Sequence, residues 1–404
     1  MSDGNKNNSA SWYLASVATF MIPAGIQMVL LPYLLAIELH QPAARYGVTQ
    51  MLGQLPTLLL LLFGGWLADR IDARKILISV HAAAILMPLV LAGLLWRGQL
   101  TETALLLYAV SWGLVSAFAI PARDGLLRRV AGGKVQRMVT LAIGMQFGMQ
   151  MLGQALGGRA AQFGPISVLV VQCLVLAAGI LAATELPAAP PKPANDNPRD
   201  TPLKEFGGGL ALILSDPPMR TTFLMTLGMG VFFGGTFLVV LPLAIRDIYG
   251  GGAQDIATVF IVFGLGTLVS IVAMTRRGGL AFPGRGMVLA LLFGCCVLAP
   301  IMLEPPLWAF YLCMFVWGIG GGITMSMSRT ILQEHAPPTH QSRTMAVLSL
   351  STAGGGPLGA LIMGFAVSAL GVRWAILVPM AGVAVMTIGA MAWHSIWGLR
   401  SHSH

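Results

Sequence analysis

Twelve long apolar stretches, parted by mostly short polar turns, run through this 404-residue chain. A helix needs about 20 apolar residues to cross the hydrocarbon of a bilayer, where every backbone polar group must be bonded internally. The stretches predict helical spans at 12–37, 47–68, 75–96, 103–122, 137–160, 165–185, 221–245, 254–275, 286–303, 306–328, 342–366 and 371–395. Composition points the same way: 56% of residues are apolar and 10% charged, where soluble domains carry roughly 25% charge. That balance excludes a cytosolic enzyme, a disordered chain and a secreted disulfide scaffold. Cys173, Cys295, Cys296 and Cys313 all lie in apolar runs without metal-ligand spacing, as small apolar residues do. The first run is longer than a signal-peptide core and no small-residue cleavage site follows it, so the chain is expected to keep it.

Lys and Arg then set the orientation. With residues 1–11 placed in the cytoplasm, the inner segments hold 19 basic residues and the outer ones 5. Positive charge collects on the cytoplasmic side of membrane proteins, so both 1–11 and 396–404 are expected there. The net charge of +9 lies in these inter-span bursts and does not predict nucleic-acid binding.

One connection is long. Residues 186–220 begin Pro- and Asn-rich, as a flexible linker does, and from Leu203 to Leu214 turn amphipathic, which predicts a short helix on the inner membrane surface. The linker separates bundles of six spans at 12–185 and 221–395. An offset of 206 places Arg70, Arg123 and Arg137 on Arg276, Arg329 and Arg343, and Gly148, Gly153 and Gly158 on Gly354, Gly359 and Gly364. Three Arg matches stand against roughly 0.4 by chance for this composition. The expected fold is all-α and membrane-integral: twelve spans in two pseudo-symmetric six-helix bundles, with a central site between the halves.

The stretch 65–75, Gly-Trp-Leu-Ala-Asp-Arg-Ile-Asp-Ala-Arg-Lys, closes span 2 and opens span 3. It resembles the loop signature of the major facilitator superfamily, matching at Gly65, Leu67, Asp69, Arg70 and Arg74. Asp72 replaces the signature's Gly and Ala73 its usual base, and these departures are expected to loosen the turn. The resemblance implies a gate in which Asp69 caps a helix N-terminus of the other half, with Arg70, Arg74, Arg123 and Asp124 as partners. Arg329 and Arg343 are their equivalents in the second repeat. The segment 120–158 and the lead-in to span 7 resemble the branch that contains the enterobactin exporter and related drug efflux proteins. In its Gly-Gln-Ala-Leu-Gly-Gly run, Gln154 stands where antiporter motifs carry Pro; the second half keeps Gly356-Pro357.

The same resemblance implies a cavity lined by spans 1, 4, 7 and 10. On these lie Gln27, Tyr108, Trp112, Phe233, Thr236, Tyr311, Trp317 and Thr324. Gln146, Gln150 and Gln154 form a stripe on span 5, with Gln50 and Gln54 on span 2; such amides either bond across helices or line a polar cavity. Glycine pairs at small-xxx-small spacing, Gly144/Gly148, Gly153/Gly157, Gly318/Gly322 and Gly355/Gly359, predict close helix contacts. No Asp, Glu, Lys or Arg falls in mid-span. Carriers of charged substrates set such groups in their cavities, whereas Met and aromatic surfaces suit bulky apolar ligands. The expectation is a proton-driven exporter of a bulky amphipathic or apolar molecule, such as a drug-like compound or siderophore. Glu38, Asp247 and His81 are its coupling candidates. No ATP-binding, hydrolase-triad or metalloprotease motif occurs, so no enzyme, cofactor or metal is expected. The partners are a small-molecule substrate and membrane lipid, and the chain is expected to act as a monomer. A lysolipid or lipid facilitator of the same fold is the alternative; a non-transporting membrane receptor needs no two-bundle repeat.

Overall fold

A computed structural model describes the backbone at 3–131, 135–188, 202–337, 341–392 and 396–401, with side chains except at 3–8, 62, 69, 128, 202–205, 342 and 343. Every regular element among these residues is helical. The first six spans are α1 (Asp3–Pro32, continued by a π-helical Tyr33–Glu38), α2 (Ala43–Arg70), α3 (Ala73–Trp96), α4 (Glu102–Val130), α5 (Val135–Gly157) and α6 (Pro165–Thr184). The linker helix is α7 (Pro202–Ser215). Then follow α8 (Pro217–Met229, then π-helical Gly230–Gly234 and Thr236–Val240, ending as Leu241–Asp247), α9 (Ala253–Arg277) and α10 (Pro283–Leu298). The last three are α11 (Leu307–His335), α12 (Gln341–Ala375) and α13 (Leu377–Ala392). Nine helices among the described residues are long and apolar enough to cross a membrane, and Leu377–Ala392 is shorter but apolar.

The helix ends follow local chemistry. Asp72 accepts from the Arg74 N–H at 3.0 Å, Thr101 from Ala104 at 3.2 Å and Asp216 from Met219 at 3.0 Å. Each cap satisfies an orphan N–H at the start of α3, α4 or α8. Between spans 11 and 12 the break falls at Gly371, with φ 77° and ψ 162°, a conformation that glycine adopts without strain.

The chain divides into two compact units. The first holds Met1–Gln41, Leu52–Pro198 and Gly251–Ala257; the second holds Pro42–Met51, Arg199–Gly250 and Thr258–His404. The core of the first joins Tyr13, Val17 and Phe20 of α1 to Leu77 and Val80 of α3, Leu126 of α4, Met138 of α5 and Leu176 of α6. In the second, α7 forms where an amphipathic helix is expected, but its apolar side chains are taken up by protein: Phe206, Leu210 and Ile213 pack with Met219, Leu332 and Val347.

Candidate functional site

The first unit is organised around the seam between α1 and α5. A Cβ on Gly153 would press on the Ile22 carbonyl oxygen and lie 3.0 Å from the Gly25 Cα; one on Gly25 would press on the Gln150 carbonyl. Only glycine lets the two backbones come this close, and in lipid such packing replaces the hydrophobic drive that water would supply. The close approach brings two glutamines of the span-5 stripe onto one thioether: Gln154 Nε2 donates to Met28 Sδ at 3.2 Å and Gln150 Nε2 at 3.6 Å. Gln146 takes a different partner, accepting from Arg123 Nη2 at 3.4 Å. The stripe thus bonds across helices. Gln27 and Gln154 are 7% and 5% exposed, and among the described residues their side-chain oxygens have no hydrogen-bond partner. A buried amide oxygen without a donor is costly. Met28 does not stand out in the sequence as a member of the group.

The gate residues do not share one environment. Arg123 is 12% exposed and lies 3.9 Å from Asp124, whose side chain is 67% exposed. Its repeat equivalent, Arg329, is exposed. Equivalence in sequence therefore does not extend to surroundings, because Arg123 is drawn in by Gln146 of α5. Arg70 places its guanidinium 4.0 Å above the Trp66 ring. The expectation of a loosened turn is also corrected: Asp72, in the signature's Gly position, caps α3 through the Arg74 N–H and so holds the turn. The side chains of Asp69 and Arg343 lie outside the described residues.

The three coupling candidates differ sharply. His81 is fully buried. It bonds the Leu77 carbonyl through Nδ1 at 2.8 Å, stands edge-on to Phe20 at 5.8 Å and fills the gap opposite Gly179 of α6. It faces helices rather than lipid. Asp247 is paired by its neighbour, Arg246 Nη2 to Oδ2 at 3.0 Å. Glu38 is exposed and accepts from the Tyr33 hydroxyl. The π-helical turn Tyr33–Glu38 makes that bond, since a wider turn sets residues five apart side by side.

Among the cavity candidates, Trp112 stacks on Phe20 at 5.3 Å. Tyr108 is buried and donates to Gln172 of α6 at 2.9 Å, so it packs the first unit internally. In the second unit, Phe233 meets Trp317 at 5.4 Å, and Trp317 meets Phe263 at 5.1 Å. Phe237 leans on Phe263 at 4.8 Å. Phe237 and Phe263 are the half-buried members, over the buried Phe233 and Trp317; neither stands out in the sequence. Thr236 and Thr324 bond carbonyls of their own helices, Phe232 at 2.7 Å and Gly320 at 3.0 Å. Both side chains are buried. Tyr311 is half-buried.

Three of the four glycine pairs are in close contact. Gly153/Gly157 meet α1, Gly318/Gly322 meet α9 and Gly355/Gly359 meet the π-helical part of α8. Gly144 and Gly148 have nothing within 4 Å of a built Cβ, so for them the spacing misleads. One further contact escapes sequence reasoning. Pro242 has no N–H with which to bond the Leu238 carbonyl in the ordinary i−4 pattern. Tyr46, at the start of α2, donates its hydroxyl to that carbonyl at 3.0 Å, and Gln50 donates to Tyr46 at 3.0 Å.

Helical repeats, spans without mid-membrane charge and glycine seams define a multi-pass helical membrane protein of the twelve-span transporter type. The sequence matches the Major Facilitator Superfamily over residues 13–301 and 235–401, and the chain belongs to that superfamily. Its fold is similar to that of the nucleoside transporter NupG, with a TM-score of 0.76 at 14% identity over 96% of this chain and 99% of that one. A bacterial homologue of the human lysosomal transporter Spinster, inward-facing and unoccupied, gives 0.71 at 16% identity over 98% of each chain. A structure of proton-dependent oligopeptide transporters gives 0.68 at 11% identity, over 97% of this chain and 98% of that one. At these identities the likeness establishes the fold. No curated protein matches the sequence.

Proposed function

We propose that the protein is a secondary active transporter of a bacterial inner membrane. It exports a bulky, amphipathic or apolar, uncharged molecule by alternating access, driven by protons. Membership of the superfamily points to a transporter rather than an enzyme. The observation that carries the substrate class is the pair of buried amide oxygens, Gln27 and Gln154, without partners among the described residues, in spans that hold no mid-membrane charge. Such oxygens receive neutral N–H or O–H donors. In the same unit the half-buried Trp112 offers an aromatic surface that suits the apolar body of such a ligand. Export is supported by the likeness of 120–158 and of Gly356-Pro357 to efflux motifs.

Glu38 is the proposed proton carrier. Glu38 is exposed and its hydrogen-bond partner is the neutral Tyr33 hydroxyl rather than a cation. His81 is sealed among helices and Asp247 is held by Arg246. The test uses everted vesicles, a panel of fluorescent dyes and siderophores, and a protonophore. Glu38→Gln should keep downhill exchange and lose proton-driven accumulation. Uphill accumulation by Glu38→Gln with an unchanged pH profile refutes the coupling role. Transport by the wild type that the protonophore leaves untouched favours a lipid or lysolipid facilitator instead.

A further inference from the structure

In the first unit, α2, α3 and α4 enclose an open groove of about 370 Å³. Its walls are apolar, with Leu67 from α2, Val80 from α3, and Leu114 and Phe118 from α4, and Lys75 is the one charged residue among the described ones that lines it. The groove is asymmetric along its length. Lys75 stands in the first turn of α3, three residues past the Asp72 cap that starts the helix. At the same end Phe63 stacks on Trp66 at 5.3 Å and meets Phe118 at 6.1 Å, while Arg70 lies over Trp66 at 4.0 Å. Trp and snorkelling cations mark the water–hydrocarbon boundary of membrane proteins. The groove therefore runs from a basic, Trp-marked rim into an apolar slot.

A ligand that matches this gradient has an anionic head and a hydrocarbon tail. We propose that the groove is a binding site for an anionic phospholipid, its phosphate at Lys75 and one acyl chain between α3 and α4. Charge complementarity selects the occupant: a basic pocket between helices at a membrane edge holds anionic head groups, and a zwitterionic lipid, whose phosphate is offset by its own cation, gains less from Lys75. The proposal does not depend on the transported substrate or on Glu38.

The test is native mass spectrometry of the purified full-length protein with phosphatidylglycerol or phosphatidylcholine added to the detergent. The wild type should retain phosphatidylglycerol over phosphatidylcholine by about fivefold, the expected effect of one basic residue near an anionic surface. Lys75→Gln should abolish that preference and Lys75→Arg should keep it. Ala83→Trp, which fills the slot, should lower retention of both lipids. Lys75 is exposed, so Lys75→Gln is expected to fold and decides the matter even if Ala83→Trp does not. Equal retention of the two lipids by the wild type overturns the proposal, as does an unchanged preference in Lys75→Gln. Displacement of phosphatidylglycerol by millimolar inorganic phosphate would make the site one for a soluble anion and likewise overturn it.

Discussion

Two glycines on one helix offer a controlled test of the α1–α5 seam. At Gly148 a built Cβ meets nothing within 4 Å, whereas at Gly153 it would press on the Ile22 carbonyl and sit 3.0 Å from the Gly25 Cα. The atoms that a Cβ at Gly153 would meet are backbone, which cannot swing aside, so Gly153→Ala forces α1 and α5 apart. Overpacking of this kind costs about 1–3 kcal/mol. Both substitutions gain the same helix propensity, about 1 kcal/mol, so their difference isolates the seam. Gly148→Ala should be neutral or stabilising, and Gly153→Ala should lie about 1–3 kcal/mol below it. For a unit of this size that is about 2–4 °C of melting temperature per kcal/mol. The assay is thermal unfolding of both variants in the same detergent, followed by transport per folded molecule. Separation of the helices also pulls Gln150 and Gln154 from Met28, so Gly153→Ala should lose transport beyond its loss of stability. Equal melting temperatures for the two variants would refute the reasoning.

Asp72→Ala should cost about 1 kcal/mol by removing the cap on α3, and Asp72→Asn should restore most of it; thermal melts in detergent decide this. Tyr46→Phe should destabilise by about 1–2 kcal/mol, since it strips the donor from the Leu238 carbonyl that Pro242 cannot reach. In the Pro242→Ala background the cost should shrink, because the i−4 donor returns, and a double-mutant cycle reads that coupling.

The fold was legible because hydropathy over 20 residues is a strong signal and the breaks between spans are chemically marked. Asp72, Thr101 and Asp216 are of the residue types that cap helices, and each of them caps one. Side-chain roles were legible only where geometry follows from spacing. The span-5 glutamine stripe is one such case. The glycine pairs show the limit: Gly144/Gly148 and Gly153/Gly157 have the same spacing on the same helix, and only the second pair has a backbone opposite it. Spacing says which residues share a face, not what stands before that face. Met28 was invisible for the same reason, as its value lies in two amides from another helix. Thr236 and Thr324 show the converse: polar residues on the right spans whose hydroxyls bond their own backbone. The Tyr46 contact was half-readable. Pro242 names the carbonyl it frees, four residues back, but nothing in the sequence names the donor.

The 206-residue offset gains a physical meaning from these contacts. It carries Gly153 to Gly359 and Gly25 to Val231, and the structure packs Gly153 against Gly25 and Gly359 against the Val231 carbonyl. It also carries Gly158 to Gly364. Gly158 meets Ala257 and Gln254 within the first unit, and Gly364 meets Gly47 and Ala43 within the second. Residues 42–51 and 251–257, which are the starts of spans 2 and 8, are the segments grouped with the unit opposite to that of the rest of their repeat. The same offset carries 45–51 onto 251–257, so the exchange is reciprocal. A duplicated sequence preserves such an exchange only if both small-residue contacts are retained, since a side chain at Gly158 or Gly364 would meet neighbouring atoms at 2.7–2.8 Å. What the two repeats share is therefore a set of close backbone approaches. The polar groups set upon them, the Met28 amides in one unit and the Tyr46–Leu238 bond in the other, are where the halves have diverged.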